Sequence, residues 1–139
     1  MIARGLMVAS ASIILALGVL HLVYTFWVPK LTPRDSALQV GMSRSSPLIT
    51  SETTVWRCWV GFNASHSIGL ILFGVIYGFL AIAHGPLLFH SPFLLIVGLG
   101  MLGALLAIAR VYLFSVPFAC IGISLVCYVA SIAASRAQA

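Results

Sequence analysis

The chain has very few charged residues. Seven are basic and two are acidic among 139, so only 6% of the chain carries charge. A soluble domain contains roughly a quarter charged residues, and this composition therefore cannot cover a surface that faces water. The scarcity excludes a soluble enzyme, a disordered tail and a nucleic-acid-binding protein. With 62% hydrophobic residues and a mean hydropathy of +1.17, the sequence predicts an integral membrane protein whose first partner is the lipid bilayer.

Motifs for catalysis and metal binding are also missing. The three cysteines, Cys58, Cys120 and Cys127, show neither a CxxC motif nor the spacing of a zinc site. We interpret them as small apolar residues in or beside hydrophobic segments. The two acidic residues, Asp35 and Glu52, both belong to one polar stretch outside the hydrophobic runs. The sequence therefore leaves any catalytic residue unknown and predicts no metal-ligand set.

Four hydrophobic runs predict transmembrane helices, because crossing the hydrocarbon core takes roughly 20 apolar residues. The predicted helices cover residues about 5–28, 52–83, 92–114 and 117–134. We expect an all-α fold, an integral membrane four-helix bundle that forms a single transmembrane domain over residues 1–139. The first run is too long for a signal peptide and is followed by no small-residue cleavage site. We interpret it as a retained helix.

The first connection, residues 29–51, is long and polar. Thr32 and Pro33 predict the start of a short surface helix there, and Glu52 is expected in the first turn of the next span. Five basic residues near the ends of spans lie on the side of this loop, and only Arg4 and Arg136 lie on the other. The positive-inside rule then predicts a cytoplasmic loop with both termini outside.

A polar cluster is predicted inside the bilayer, where the first two spans face each other. On an α-helix Glu52, Trp56, Trp59, Asn63, His66 and Ser67 share one face, and His21 is expected at a similar depth on the first span. The predicted cluster contains His21, Asn63, His66 and Ser67. On roughly the opposite face, the four-residue spacing of Gly61, Ser65 and Gly69 predicts the close approach of another helix.

Three interpretations of this cluster stay open. Neutral histidine and asparagine side chains join transmembrane helices by hydrogen bonds. Alternatively, the cluster belongs to a site for a polar head group or small substrate, with Arg57 or Arg110 as the anion anchor, since guanidinium binds carboxylate and phosphate through two parallel bonds. Thirdly, His21 and His66 are the axial ligands of a haem. For Arg110, the plain alternative is that its side chain extends to the membrane interface.

Three segments carry a resemblance to a known family: LGVLHLVYTFWVPKLTPRD, TVWRCWVGFNASHSIG and RVYLFSVPF. Together they resemble a family of small uncharacterised four-helix bacterial membrane proteins. The resemblance covers most of the chain and implies a multi-pass protein of the bacterial inner, or plasma, membrane.

The run Ala109-Arg110-Val111-Tyr112 and the four-span layout are also similar to the membrane-associated proteins in eicosanoid and glutathione metabolism. That resemblance implies a glutathione-dependent transferase whose anionic co-substrate lies near Arg57, Arg110 and Asn63, with Tyr112 or Ser67 stabilising a thiolate. The second span departs from that family's pattern, since His66 stands where a glutamate is typical.

The leading hypothesis is a small multi-pass membrane protein of structural or accessory type, either a homo-oligomer or a subunit of a larger membrane complex. The reason is that the sequence predicts one polar cluster inside the membrane but neither a nucleophile–base pair nor a pair of acidic residues beside it that could catalyse a reaction. A glutathione-dependent enzyme and a haem-binding membrane protein are the alternatives.

Overall fold

The regular structure of the chain is helical. A computed structural model describes residues 1–137, and within that range the elements are α1 (Ile2–Phe26), α2 (Ser36–Arg44), α3 (Val55–Ala83), α4 (Gly85–His90), α5 (Pro92–Tyr112) and α6 (Ser115–Arg136). The all-α prediction is confirmed.

Four of these helices, α1, α3, α5 and α6, are long and apolar enough to cross a membrane. The shortest, α5, has 21 residues and extends about 31 Å at 1.5 Å per residue. This length matches a hydrocarbon core of about 30 Å. Many large apolar side chains on these helices are exposed in the isolated chain, as lipid-facing residues are. The fold is that of a small multi-pass membrane protein, consistent with a four-helix bundle.

Several predicted helix boundaries were wrong by two or three residues. The span expected from Glu52 begins at Val55, because Thr54 caps it: its Oγ1 accepts a hydrogen bond from the backbone N–H of Arg57 at 3.3 Å. Glu52 therefore lies outside the helix and does not share the face of Asn63. The last span was expected from Pro117 but begins at Ser115, since proline is tolerated in the first helical turn.

The remaining ends also differ from the predicted ranges. The helix expected over 5–28 covers Ile2–Phe26, the one over 92–114 ends at Tyr112, and the one over 117–134 continues to Arg136. The connection predicted as 29–51 thus runs from 27 to 54. Its surface helix, α2, starts later than expected because Asp35 rather than Thr32 caps it, with Oδ1 accepting from the N–H of Ala37 at 2.9 Å.

The chain divides into two compact units. Unit 1 comprises Met1–Leu17 and the chain from Leu70 onward, and unit 2 comprises Gly18–Gly69. Unit 1 holds the hydrophobic core, whose fully buried side chains include Met7, Ile14, Leu88, Leu102 and Tyr128. Within this unit α5 packs along α6, and the short helix α4 contacts α5.

Hydrogen bonds between side chains and distant backbone groups connect the helices of unit 1. The hydroxyls of Ser10 on α1 and Ser124 on α6 are 2.9 Å apart, and Ser124 also donates to the Ser10 carbonyl at 3.0 Å. Tyr77 on α3 donates to the carbonyl of Leu94, and Tyr128 on α6 donates to that of Leu95, at 2.7 and 3.1 Å. The hydrocarbon of a bilayer cannot form hydrogen bonds, so these bonds give the hydroxyl groups partners that lipid does not offer.

Glycine positions show where helices approach most closely. In unit 1, a Cβ atom built on Gly74 would lie within 3 Å of the backbone of α1, and one on Gly98 would collide with Tyr128. Gly61 and Gly69, by contrast, have no atom within 4 Å of such a Cβ. Gly61 and Ser65 are exposed. Among residues 1–137, no atom therefore lies close enough to touch a Cβ at Gly61 or Gly69, unlike the close approach that the sequence predicts for this face.

Candidate functional site

A direct hydrogen bond joins α1 to α3 in unit 2. Nε2 of His21 lies 3.0 Å from Oδ1 of Asn63. The amide nitrogen of Asn63 donates to the Trp59 carbonyl at 2.8 Å, which fixes the orientation of the amide. Because Oδ1 can only accept, Nε2 of His21 must carry the hydrogen. The Thr25 hydroxyl, one turn further along α1, donates to the His21 carbonyl at 2.8 Å.

His66 contacts its neighbours through its ring. Its centroid lies 5.4 Å from that of His21 with the two planes 77° apart, an edge-to-face contact. On its other side the imidazole stacks on Phe62 at 6.5 Å, with the planes 8° apart. The structure thus brings His21, Asn63 and His66 together, three of the four residues of the predicted cluster.

Ser67 does not reach across to α1. It is fully buried, and its hydroxyl donates to the Asn63 carbonyl, four residues back on its own helix, at 2.8 Å. This bond satisfies the hydroxyl locally, so Ser67 is a neighbour of the cluster along the chain and offers no free donor to it.

The arrangement of the two histidines favours packing over haem ligation. Two axial imidazoles each bind the same iron through one nitrogen, from opposite faces of the porphyrin. The porphyrin ring therefore lies between the two imidazoles. Here the rings meet edge to face, and Nε2 of His21 is engaged with Asn63. Within residues 1–137 no group of three or more His, Cys, Asp or Glu side chains is placed to hold a metal ion.

An aromatic pocket lies beside this cluster, where α1 ends and α3 begins. Its cavity of about 240 Å³ is lined only by residues of unit 2: Tyr24, Thr25, Phe26, Trp27, Val28, Pro29, Leu31, Thr32, Trp56, Trp59, Val60 and Asn63. Asn63 belongs to both the cluster and the pocket. All twelve lining residues have uncharged side chains. The chain has three tryptophans, and all three contribute to this lining.

A hydrogen bond from Trp59 fixes one wall of the aromatic pocket. Its indole Nε1 donates to the carbonyl of Leu31 at 3.0 Å, 28 positions away in the chain. This bond ties the polar connection after α1 to the first turns of α3. It also sets the orientation of the indole plane, so the wall is in place without a ligand.

The three anion-binding candidates do not line this pocket. Arg57 is exposed on the first turn of α3, next to the lining residue Trp56. Arg110 and Tyr112 belong to unit 1, at the exposed C-terminal end of α5, where Tyr112 is 78% exposed. The lining itself therefore contains no cation, and Arg57 and Lys30 are exposed neighbours of lining residues in the sequence.

Comparison with known proteins adds no family to this geometry. No protein-family model, no curated protein and no solved structure matches the chain. The site is therefore interpreted from its own residues.

Sequence analysis missed the aromatic pocket and the tyrosine pair. Trp27, Trp56 and Trp59 lie where a transmembrane span meets a polar loop, which is typical of an interfacial aromatic belt. The signal for a cavity in the sequence is that the three tryptophans flank both ends of one loop. Tyr77 and Tyr128 are 51 positions apart, and their rings meet at 5.9 Å. Local spacing carries no signal for such a contact.

We expect His21 and Asn63 to be energetically coupled. Single His21→Ala and Asn63→Ala variants should each lower the free energy of unfolding in detergent. The double variant should lose less than the sum, with a coupling of about 0.6 kcal/mol and at most about 1.7, as for interhelical bonds in membranes. Chemical denaturation followed by circular dichroism gives the four values of this cycle.

Ser65→Ala is the matched control, because its hydroxyl bonds only to its own helix at Phe62 and its side chain is exposed. Paired with His21→Ala, it should show additivity. Equal coupling in both cycles would contradict a specific His21–Asn63 bond.

Proposed function

We propose that the protein is a structural or accessory component of a bacterial inner membrane, working as a homo-oligomer or within a larger membrane complex. One observation carries this proposal. Among residues 1–137, every buried side-chain nitrogen or oxygen has a hydrogen-bond partner within the chain. Several of these hydrogen bonds join one helix to another, such as Ser10 to Ser124 and His21 to Asn63, as polar side chains do between transmembrane helices.

The exposed small-residue face of α3 supports an association role. Gly61, Ser65 and Gly69 recur at four-residue spacing, and the space beside both glycines is open. Such a row lets two helix backbones approach closely in a bilayer, where packing and not water exclusion drives association. In this proposal the face receives the same face of a second copy.

The basic residues support an orientation for this component. Lys30, Arg34, Arg44 and Arg57 lie in or beside the connection between α1 and α3, and all four are exposed. By the positive-inside rule this connection faces the cytoplasm and the termini face outward.

Leucine at Gly61 should dissociate the oligomer without unfolding the chain. A leucine side chain has room in the isolated protein because nothing lies within 4 Å of the added Cβ, but it would hold a second helix away. We expect native mass spectrometry of the protein in nanodiscs to report an oligomer for the wild type and a monomer for Gly61→Leu.

Gly5→Leu is the matched control, since Gly5 is an equally open glycine on α1; this variant should keep the oligomer. A monomeric wild type that co-purifies with no other membrane protein would overturn the proposal. So would a Gly61→Leu variant that assembles like the wild type.

A further inference from the structure

The aromatic pocket of unit 2 is rich in π-faces. Five of its twelve lining residues are aromatic: Tyr24, Phe26, Trp27, Trp56 and Trp59. The face of an aromatic ring is electronegative and attracts cations, and tryptophan does so most strongly. A cavity lined by several aromatic side chains is the arrangement that recognises quaternary ammonium groups.

Four of the seven lining side chains that carry a polar hydrogen donate one to a carbonyl group of the chain. Thr25 donates to the His21 carbonyl, Thr32 donates to the Pro29 carbonyl at 2.9 Å, and the Trp59 indole donates to the Leu31 carbonyl. Asn63 uses its oxygen for His21 and its nitrogen for the Trp59 carbonyl. A quaternary ammonium suits such a lining, because it is a cation with no N–H to donate and no lone pair to accept.

The charges around the pocket select a zwitterion over a simple cation. The lining itself is neutral, but Lys30 lies between the lining residues Pro29 and Leu31, and Arg57 follows Trp56. Both cations are exposed. They would repel a bare cation at long range, whereas they would attract a ligand that carries a phosphate beside its ammonium group.

We propose that the aromatic pocket binds the trimethylammonium group of a phosphocholine, with the phosphate on the side of Lys30 and Arg57. The cavity of about 240 Å³ is smaller than the roughly 300–1,000 Å³ of sites for drug-sized ligands, which fits a head group. This function is independent of association through α3, so either proposal can fail alone.

Tryptophan fluorescence gives a direct test, because every tryptophan of the chain lines the pocket. The protein in phosphatidylglycerol nanodiscs is titrated with phosphocholine and, separately, with 3,3-dimethylbutyl phosphate, in which carbon replaces the quaternary nitrogen. We expect a saturable fluorescence change with phosphocholine and about tenfold weaker binding of the carbon analogue, a loss between those of an exposed and of a desolvated cation–π interaction.

The analogue carries more negative charge than phosphocholine, so attraction to Lys30 and Arg57 alone would make it the tighter ligand. Equal or tighter binding of the analogue would therefore overturn the proposal, as would the absence of a saturable change with phosphocholine.

Variants locate the bound group. Trp27→Leu should weaken phosphocholine binding at least several-fold, and because Trp27 is 73% exposed its loss should leave the fold intact. Trp56→Leu should do the same, and Trp56→Phe should retain part of the affinity. Phe93→Leu, an equally exposed aromatic of α5 outside the pocket, should bind like the wild type. Unchanged affinity in both Trp27→Leu and Trp56→Leu would place the ligand elsewhere and contradict the proposal.

A second arm distinguishes a lipid head group from a soluble ligand. The titration is repeated in nanodiscs in which part of the phosphatidylglycerol is replaced by phosphatidylcholine. If the lipid head group occupies the pocket, the apparent Kd for soluble phosphocholine rises with the phosphatidylcholine fraction. An unchanged Kd assigns the pocket to the soluble zwitterion.

Discussion

Gly74→Ala should be among the most destabilising single-methyl changes in this protein. The added Cβ would lie 2.6 Å from the Leu15 Cβ, 2.7 Å from the Ala11 carbonyl oxygen and 2.9 Å from the Leu15 Cα. Two of these atoms belong to the backbone of α1 and cannot rotate away. Relief therefore requires α1 and α3 to separate within unit 1, against buried packing by Met7, Ile14 and Phe73.

We expect this variant to lose about 3 kcal/mol or more of unfolding free energy, at or above the upper end of the usual cost of overpacking. Denaturation in detergent, followed by circular dichroism, measures the loss. Trimming the neighbouring side chain should not restore stability: Leu15→Gly removes one contact but leaves the Ala11 carbonyl in place. A rescue by Leu15→Gly would contradict a backbone conflict.

Gly78→Ala provides a closely matched control. Gly78 lies one turn after Gly74 on the same helix and faces the same segment of α1, but its added Cβ would lie 3.7 Å from the Ala11 Cβ, an ordinary contact. We expect it to be neutral or slightly stabilising, because alanine is a better helix former than glycine by up to about 1 kcal/mol. Equal losses at both positions would contradict a steric conflict that is specific to Gly74.

The difference between these glycines shows what the sequence can predict. The four spans follow from hydrophobicity, which each residue contributes independently of its neighbours in space. Which face of a span meets another helix depends on partners far along the chain. The same four-residue spacing occurs in the Gly61–Ser65–Gly69 row and in the pair Gly74 and Gly78. Only Gly74 and Gly78 lie against α1.

The candidate site divides in the same way. His21, Asn63 and His66 can be placed together from sequence, because polar groups are rare in a bilayer and must find one another. The aromatic pocket cannot be predicted in this way, because its wall depends on the bond between Trp59 and Leu31, which are 28 positions apart with the surface helix α2 between them. The starts of α2 and α3 were misplaced for a local reason: Asp35 caps α2 three residues after Thr32, and Thr54 caps α3 two residues after Glu52.

Gly98→Ala should also be strongly destabilising, but its cost should be relieved by a second substitution. The added Cβ would collide with the Tyr128 hydroxyl, and it would lie 2.7 Å from Cζ of Tyr128 and 2.8 Å from Cε1 of Tyr77. These are side-chain atoms. Tyr128 is fully buried, however, and its hydroxyl is held by the Leu95 carbonyl, so the ring cannot move without breaking that bond. We expect a loss of about 2–3 kcal/mol.

Tyr128→Phe removes the colliding atom and the bond that holds the ring. Alone it should cost about 1 kcal/mol, the value of one buried interhelical hydrogen bond. Combined with Gly98→Ala, it should leave the double variant more stable than Gly98→Ala alone, a coupling of more than about 1 kcal/mol between residues in contact. Gly100→Ala and Gly103→Ala, whose added Cβ atoms meet nothing within 4 Å, should cost nothing and should be additive with Tyr128→Phe.

Additive losses at Gly98 and Tyr128 would mean that the two residues do not contact each other. Rescue at Gly98 by Tyr128→Phe, without rescue at Gly74 by Leu15→Gly, would distinguish a close approach limited by a side chain from one limited by the helix backbones.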